Sequence, residues 1–162
     1  MANNEITFGE DEFIVSKTDL TGKITYGNEL FIQISGYDEK DILNQPHKIL
    51  RHPDMPAVIF KLLWKRIREG KEIFAYVKNK TKNDDYYWVF AHVTPSFDEN
   101  RKISNYHSVR RKPTQKALDF IKPLYASLLQ KERSGGINAA EDALQQLLKD
   151  KGMSYDEFIL SL

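Results

Sequence analysis

Three residues in one stretch, and a fourth beyond it, carry side chains from which a small-molecule receptor can be built. In "ILRHPDMPAVIFKLLWKRI", Ile49 to Ile67, Arg51 and His52 set two cationic donors beside a helix start signalled by Asp54 and Pro56. Such donors at the positive end of a helix form a local receptor for an anion or a carbonyl. Trp64, two turns on, adds a plane for stacking, and Asn79 adds an amide that can pair with a heterocycle edge. The set suits a planar, phosphate-bearing cofactor. On the residues alone two plainer readings stay open: Arg51 and Asp54 bridging each other in a loop, and Trp64 as an ordinary core residue.

Other chemistry is poorly represented. His47, His52, His92 and His107 show no metal-ligand spacing, and a lone strand histidine is more often structural than a ligand. The acidic pairs Asp38–Glu39 and Asp84–Asp85 lie in turn-like stretches, where solvation explains them. There is no glycine-rich phosphate loop and no Gly-x-Ser-x-Gly elbow, so nothing argues for an enzyme. Lys and Arg total 24 against 23 Asp and Glu, which gives no global field to draw the chain to nucleic acid or anionic lipid. The absence of cysteine excludes disulfides, thiolate metal sites and cysteine nucleophiles. The N-terminus lacks the basic and apolar regions of a signal peptide, and no apolar run approaches the roughly 20 residues of a membrane span. A soluble, cytoplasmic protein without direct membrane insertion is expected.

The elements that must position these residues follow from periodicity and punctuation. "FIVSKTDLTGKITYGN" predicts two strands around a turn at Leu20–Lys23 that uses Gly22; Asn28 then starts a short helix closed by Gly36. A helical turn follows near Asp38–Leu43, and "NQPH" breaks the chain. From Asp54, Phe60, Leu63, Trp64 and Ile67 form one helical stripe that ends at Gly70. "IFAYVKN", "YYWVFAHVT" and "KISNYHSVRR" predict three further strands, the first two joined by "TKNDD". Beyond Thr114, Ala117, Ile121, Leu124 and Leu128 form a heptad-like seam kinked or interrupted by Pro123. "RSGG" is a flexible break, Asn138–Lys149 is helical, and "SYDE" resembles a capping box.

Strand alternation assigns Ile73, Ala75, Val77 and Asn79, then Tyr87, Val89, Ala91 and Val93, then Ile103, Asn105, His107 and Val109, to a cofactor-facing side. Phe74, Tyr76, Tyr86, Trp88, Phe90 and Tyr106 fall on the opposite side, which the tail or another chain must cover.

Taken in order, "FIVSKTDLTGKITYGN", "NQPH", "RHPDMP", "KN", "DYYWV" and "ISNYHSVRRKP" resemble the PAS sensor domain of the bacterial aerotaxis and energy-taxis receptors, from Phe13 to Pro113. A weaker likeness extends through "IKPLYASLL". The resemblance implies an α+β PAS fold, a five-stranded antiparallel sheet with flanking short helices, plus a C-terminal helical tail. The chain divides accordingly into an N-terminal segment 1–12, the PAS domain 13–113, a linker helix 114–133 and a tail 134–162. It also implies non-covalent FAD, with Asn28, Arg51, His52, Asp54, Phe60, Trp64 and Asn79 as binding residues by position. Two departures are evident. Asp84 stands where the family's hairpin has glycine, and Asn105 and His107 bring polar groups to the expected cofactor face. His107 therefore joins the candidate site as a group that tunes a flavin; with haem b as the alternative cofactor of a gas sensor, His107, His52 or His92 is the expected axial ligand. The short tail, in place of an anchor and signalling coiled coil, makes the chain resemble the sensor half of a two-protein system. Its expected partner is a separate membrane-bound methyl-accepting chemotaxis transducer that holds it near the membrane, and a homodimer stays open. On the sequence alone, the aromatic sheet face and the Ala117–Leu128 seam are the expected docking surface for that transducer.

Overall fold

The computed structural model describes residues 3–162. β1 (Ile14–Thr18) and β2 (Ile24–Gly27) form a hairpin in which Gly22, at φ 90°, closes the turn and the Asp19 carboxylate collects the N–H groups of Thr21 and Lys23. α1 (Glu29–Ser35) starts at Asn28 and ends at Gly36, which adopts the left-handed conformation. α2 (Glu39–Ile42) and a 3-10 turn at His47–Leu50 lead to α3 (Ala57–Arg68). β3 (Ile73–Lys80), β4 (Tyr86–Phe97) and β5 (Ile103–Arg111) complete a five-stranded antiparallel sheet in the order β2-β1-β5-β4-β3. The β3–β4 turn holds Asp84 at φ 63°, and Thr81 Oγ1 accepts from the N–H groups of Asn83 and Asp85 to stabilise it. The predicted fold class and element order hold.

The register divides the two sheet faces. β3 and β4 present Ile73, Ala75, Val77 and Asn79 opposite Val93, Ala91, Val89 and Tyr87, as alternation predicts. β5 does the reverse. Ser108 lies opposite Val93 and Ser16, and Arg110 opposite Ala91 and Ile14, so Tyr106, Ser108 and Arg110 share the inner face. His107 lies opposite Thr94 and Lys17 on the outer face, in phase with Asn105 and Val109. The expectation for β5 had the alternation right and the face wrong. Neighbouring strands fix which side faces in, and β1 contributes the buried Ser16 and Thr18 to that side.

A second correction concerns the start of α3. Asp54 does not cap it; the helix begins after Pro56, and its first N–H groups, Ala57 and Val58, donate to the two carboxylate oxygens of Glu132, both at 2.9 Å. A carboxylate there satisfies two orphan donors and the positive end of the helix dipole together. Asp54 instead accepts from Lys78 Nζ at 2.9 Å on the solvent side.

Glu132 belongs to α4 (Gln115–Lys151), which starts on a Thr114 cap, runs through Pro123, and is non-helical only at Gly136, within the break expected at "RSGG". α5 (Tyr155–Leu160) opens with the expected capping box, Ser154 with Glu157. Among the described residues no helix is long and apolar enough to cross a membrane. Ala117, Ile121 and Leu128 are buried within the chain, and Tyr125 packs on Trp88 at 6.0 Å between ring centroids. The aromatic face expected to receive a partner is therefore covered largely by the chain's own tail, and Tyr106 does not belong to it.

β3 is an edge strand, and its outward carbonyls are satisfied in sequence. Phe74 O accepts from the Tyr155 hydroxyl at 2.8 Å, Tyr76 O from the Tyr125 hydroxyl at 2.6 Å, and Lys78 O from the His52 N–H at 3.4 Å. Tyr125→Phe leaves the Tyr76 carbonyl buried without its donor and is expected to cost about 1–3 kcal/mol. Urea unfolding checks this; a loss below a few tenths of a kcal/mol shows that the bond does not hold the tail.

Candidate functional site

α3 and the 3-10 turn stand off the inner sheet face and enclose a cavity of about 1080 Å³. Its wall is aromatic. Phe60 and Trp64, one turn apart on α3, face it, and Trp64 meets Tyr106 edge-to-face at 5.7 Å. Gly22 borders the same wall, where an added Cβ would stand 3.1 Å from the Trp64 ring; a side chain there would push the indole. Asn79, only 4% exposed, lies on the inner sheet face and lines the cavity. The rim is cationic: Lys23, Lys48, Arg51, Lys61, Lys65 and Arg68 line it against a single carboxylate, Glu69. Arg51 lies over the Phe60 ring at 4.2 Å, and Arg68 over Trp64 at 5.0 Å.

Of the expected site residues, Arg51, Phe60, Trp64 and Asn79 meet in this cavity, and His107 borders it from β5. Asn28, His52 and Asp54 do not line it. The Asn28 side chain is spent on the backbone: its Oδ1 accepts from Phe31 N and Val15 N, and its Nδ2 donates to Phe13 O. His52 turns toward Tyr86, its Nδ1 accepting from Asp54 N at 3.0 Å, and burial together with the Lys78 charge lowers its pKa. The Asp54 carboxyl is held below its ordinary range by the Lys78 hydrogen bond. His107 belongs to a bordering strand, but its ring is on the outer face. His92 stacks on Phe74 at 4.2 Å and bonds Glu72 at 2.9 Å, also outside. Of the three histidines considered as haem ligands, His52 and His92 pack their rings on Tyr86 and Phe74, and the register of His107 puts its side chain on the outer face.

The cavity floor contains what the sequence did not disclose. Arg110 is 3% exposed; its Nη2 donates to Ser16 Oγ at 2.6 Å and its Nη1 to His47 Nε2 at 3.0 Å. Since arginine can only donate, Nε2 is the acceptor and the ring proton sits on Nδ1. Burial, with the Arg110 charge adding to it, pushes the His47 pKa down to about 3; burial lowers that of Arg110 to about 10. Among the described residues, the Tyr87 hydroxyl and Arg110 Nε are buried without a hydrogen-bond partner. The available signals were "NQPH" and the position of Arg110 two and four residues from Ser108 and Tyr106, but these point inward only once β1 is placed beside β5.

A match to the family described as PAS fold covers residues 24–110, the span from β2 to the end of β5. The chain belongs to the PAS fold family. Residues of this PAS protein are 40% identical to the aerotaxis receptor of Escherichia coli (strain K12) over 119 positions, 74% of this chain and 23% of the receptor. Identity to the nitrogen fixation regulatory protein of Klebsiella pneumoniae is 25% over 97 positions, 60% of this chain and 20% of that protein. The matches thus span about a quarter or less of these relatives. In three dimensions the PAS chain superimposes on the dark structure of the blue-light photoreceptor Aureochrome1 LOV with a TM-score of 0.57 at 23% identity, covering 75% of this chain and 84% of the other. An RNA-binding Light-Oxygen-Voltage receptor gives 0.61 at 14%, covering 70% and 33%. Both share the fold.

The donor set fits a large planar ligand with phosphates: an aromatic wall, an amide on the inner face, a cationic rim, and a volume at the upper end for small-molecule cavities. The half-buried His47 also makes stability pH-dependent. Folded, it takes a proton only near 3; unfolded, near its ordinary 6.5. Between those values the unfolded chain holds the extra proton, so its contribution is complete above about 6.5 and lost as pH falls, by at most about 1.4 kcal/mol per unit. His47→Gln keeps an acceptor for Arg110 and is expected to flatten the slope of unfolding free energy between about pH 5 and about pH 7. An unchanged slope contradicts a neutral His47 imidazole in the folded chain.

Proposed function

We propose that this chain is a redox sensor for energy taxis. It binds FAD non-covalently beneath α3, performs no turnover, and reports the state of the cofactor to a separate membrane-bound methyl-accepting chemotaxis transducer. It works in the cytoplasm and reaches the membrane only through that partner. The observation that carries the reading is the meeting of Phe60, Trp64, Tyr106, Asn79 and the cationic rim in one cavity. The 40% identity to the aerotaxis receptor supports the same assignment.

FAD, when bound, supplies a ring system whose electron count changes with that of its donors. The chain's own residues do the rest. Trp64 and Phe60 exclude water from a ring face, and Asn79 offers both donor and acceptor to a ring edge. Arg51 and Lys65 neutralise phosphate at the rim. Output follows α3, because the helix that carries Phe60 and Trp64 is also the one whose N-terminus Glu132 holds. A ligand biases the tail only by interacting differently with two placements of α3.

The purified protein is expected to carry flavin absorption. Trp64→Ala should weaken FAD binding by roughly 1.5–3 kcal/mol, about ten- to a hundredfold in Kd. Arg51→Ala should weaken it while leaving the thermal midpoint of the empty protein nearly unchanged, since Arg51 is half-buried and forms no ion pair among the described residues. Fluorescence titration of FAD measures both. Wild-type affinity in both variants would remove FAD from this cavity.

A further inference from the structure

We propose that Arg110 makes the cavity floor selective for a ligand ring that carries negative charge, so that the reduced, anionic ring binds more tightly than the oxidised, neutral one. The proposal rests on the flavin reading above and assigns the residue that separates the two states.

Arg110 is the buried charge without a counter-charge. It lies on the inner sheet face between Ile14 and Ala91, and no carboxylate reaches it among the described residues. Its partners Ser16 and His47 are neutral acceptors, and nearby Tyr87 keeps its proton because burial raises its pKa. A cation buried with only neutral partners destabilises the empty fold. A negative charge delivered to the cavity removes that cost and acts through a medium of low dielectric. The rim cations are less buried and face solvent, which screens them, so they suit phosphates and leave the ring charge to Arg110. Two electrons from dithionite and one proton from water convert a neutral oxidised ring to an anionic reduced one. Arg110 keeps its own proton throughout.

The same geometry predicts what removal does. Ser16 Oγ lies 3.2 Å from His47 Nε2, so the two acceptors of Arg110 can satisfy each other once it is gone. Arg110→Met should therefore leave the empty full-length protein at least as heat-stable as the parent. Loaded with FAD and titrated with dithionite against a reference dye at neutral pH, the variant should lose about tenfold in affinity for reduced relative to oxidised FAD, a fall of about 30 mV for a two-electron couple. Arg110→Lys should retain most of the preference. An unchanged ratio in Arg110→Met overturns the proposal, and so does an empty variant that unfolds well below the parent or fails to fold, which would make Arg110 a structural group. Failure of the parent to take up FAD overturns the flavin reading and the selectivity with it. That outcome is distinguishable, because the stability of the empty protein is read without flavin.

Discussion

α3 has to be held away from the sheet it covers. A cavity of about 1080 Å³ lies between them, so α3 lacks over much of its inner side the close packing that normally fixes a helix. Its hold comes from the outside. Glu132 takes the first N–H groups, Glu141 pairs with Lys61 at 2.6 Å, and Asp156 accepts from Arg66 Nη1 through both oxygens at 2.9 Å. These three contacts run from the first turn to the last and all originate in α4 or α5. The tail is thus the brace that keeps the binding space open.

The braces differ in strength. The Lys61–Glu141 pair is exposed, and such pairs contribute little. The Glu132 cap is part-buried and closes two backbone donors with one charged group, and Arg66 Nη1 meets both Asp156 oxygens while the guanidinium also lies over the Tyr155 ring. Both ends of α3 are therefore better secured than its middle, where Phe60, Lys61 and Trp64 lie. Changes in the cavity reach a helix that is pinned at its ends.

Much of this was legible in the sequence. Glycines, caps and alternation place every strand, and Ser154 with Glu157 announces α5, because these are local interactions between near neighbours in the chain. Phe60, Trp64 and Asn79 were also legible, since spacing on one helix and one strand decides where they point, and Arg51 was legible as a cation just ahead of that helix. The illegible part is non-local. Asp54 beside Pro56 looks like a helix cap, yet Glu132, 75 residues beyond the Ala57 N–H that it accepts from, takes the role. His107 and Arg110 differ by an odd number of positions, so placing one outward places the other inward, and only the β1–β5 and β4–β5 registers decide which. Asn28 was rightly a cap, and that employment is what keeps its amide from a ligand.

The three satisfied carbonyls along β3 bear on how the sheet can grow. An open edge strand is a template for strand addition by another chain, and natural sheets block such edges by covering them. Here two of the three covering groups belong to the same tail that braces α3: Tyr125 and Tyr155 occupy acceptors that an incoming strand would need. The two conditions are mutually exclusive. While the tail is docked, β3 is closed to β-augmentation; a tail that lifts away exposes a templating edge at the same moment that it loosens the roof of the cavity.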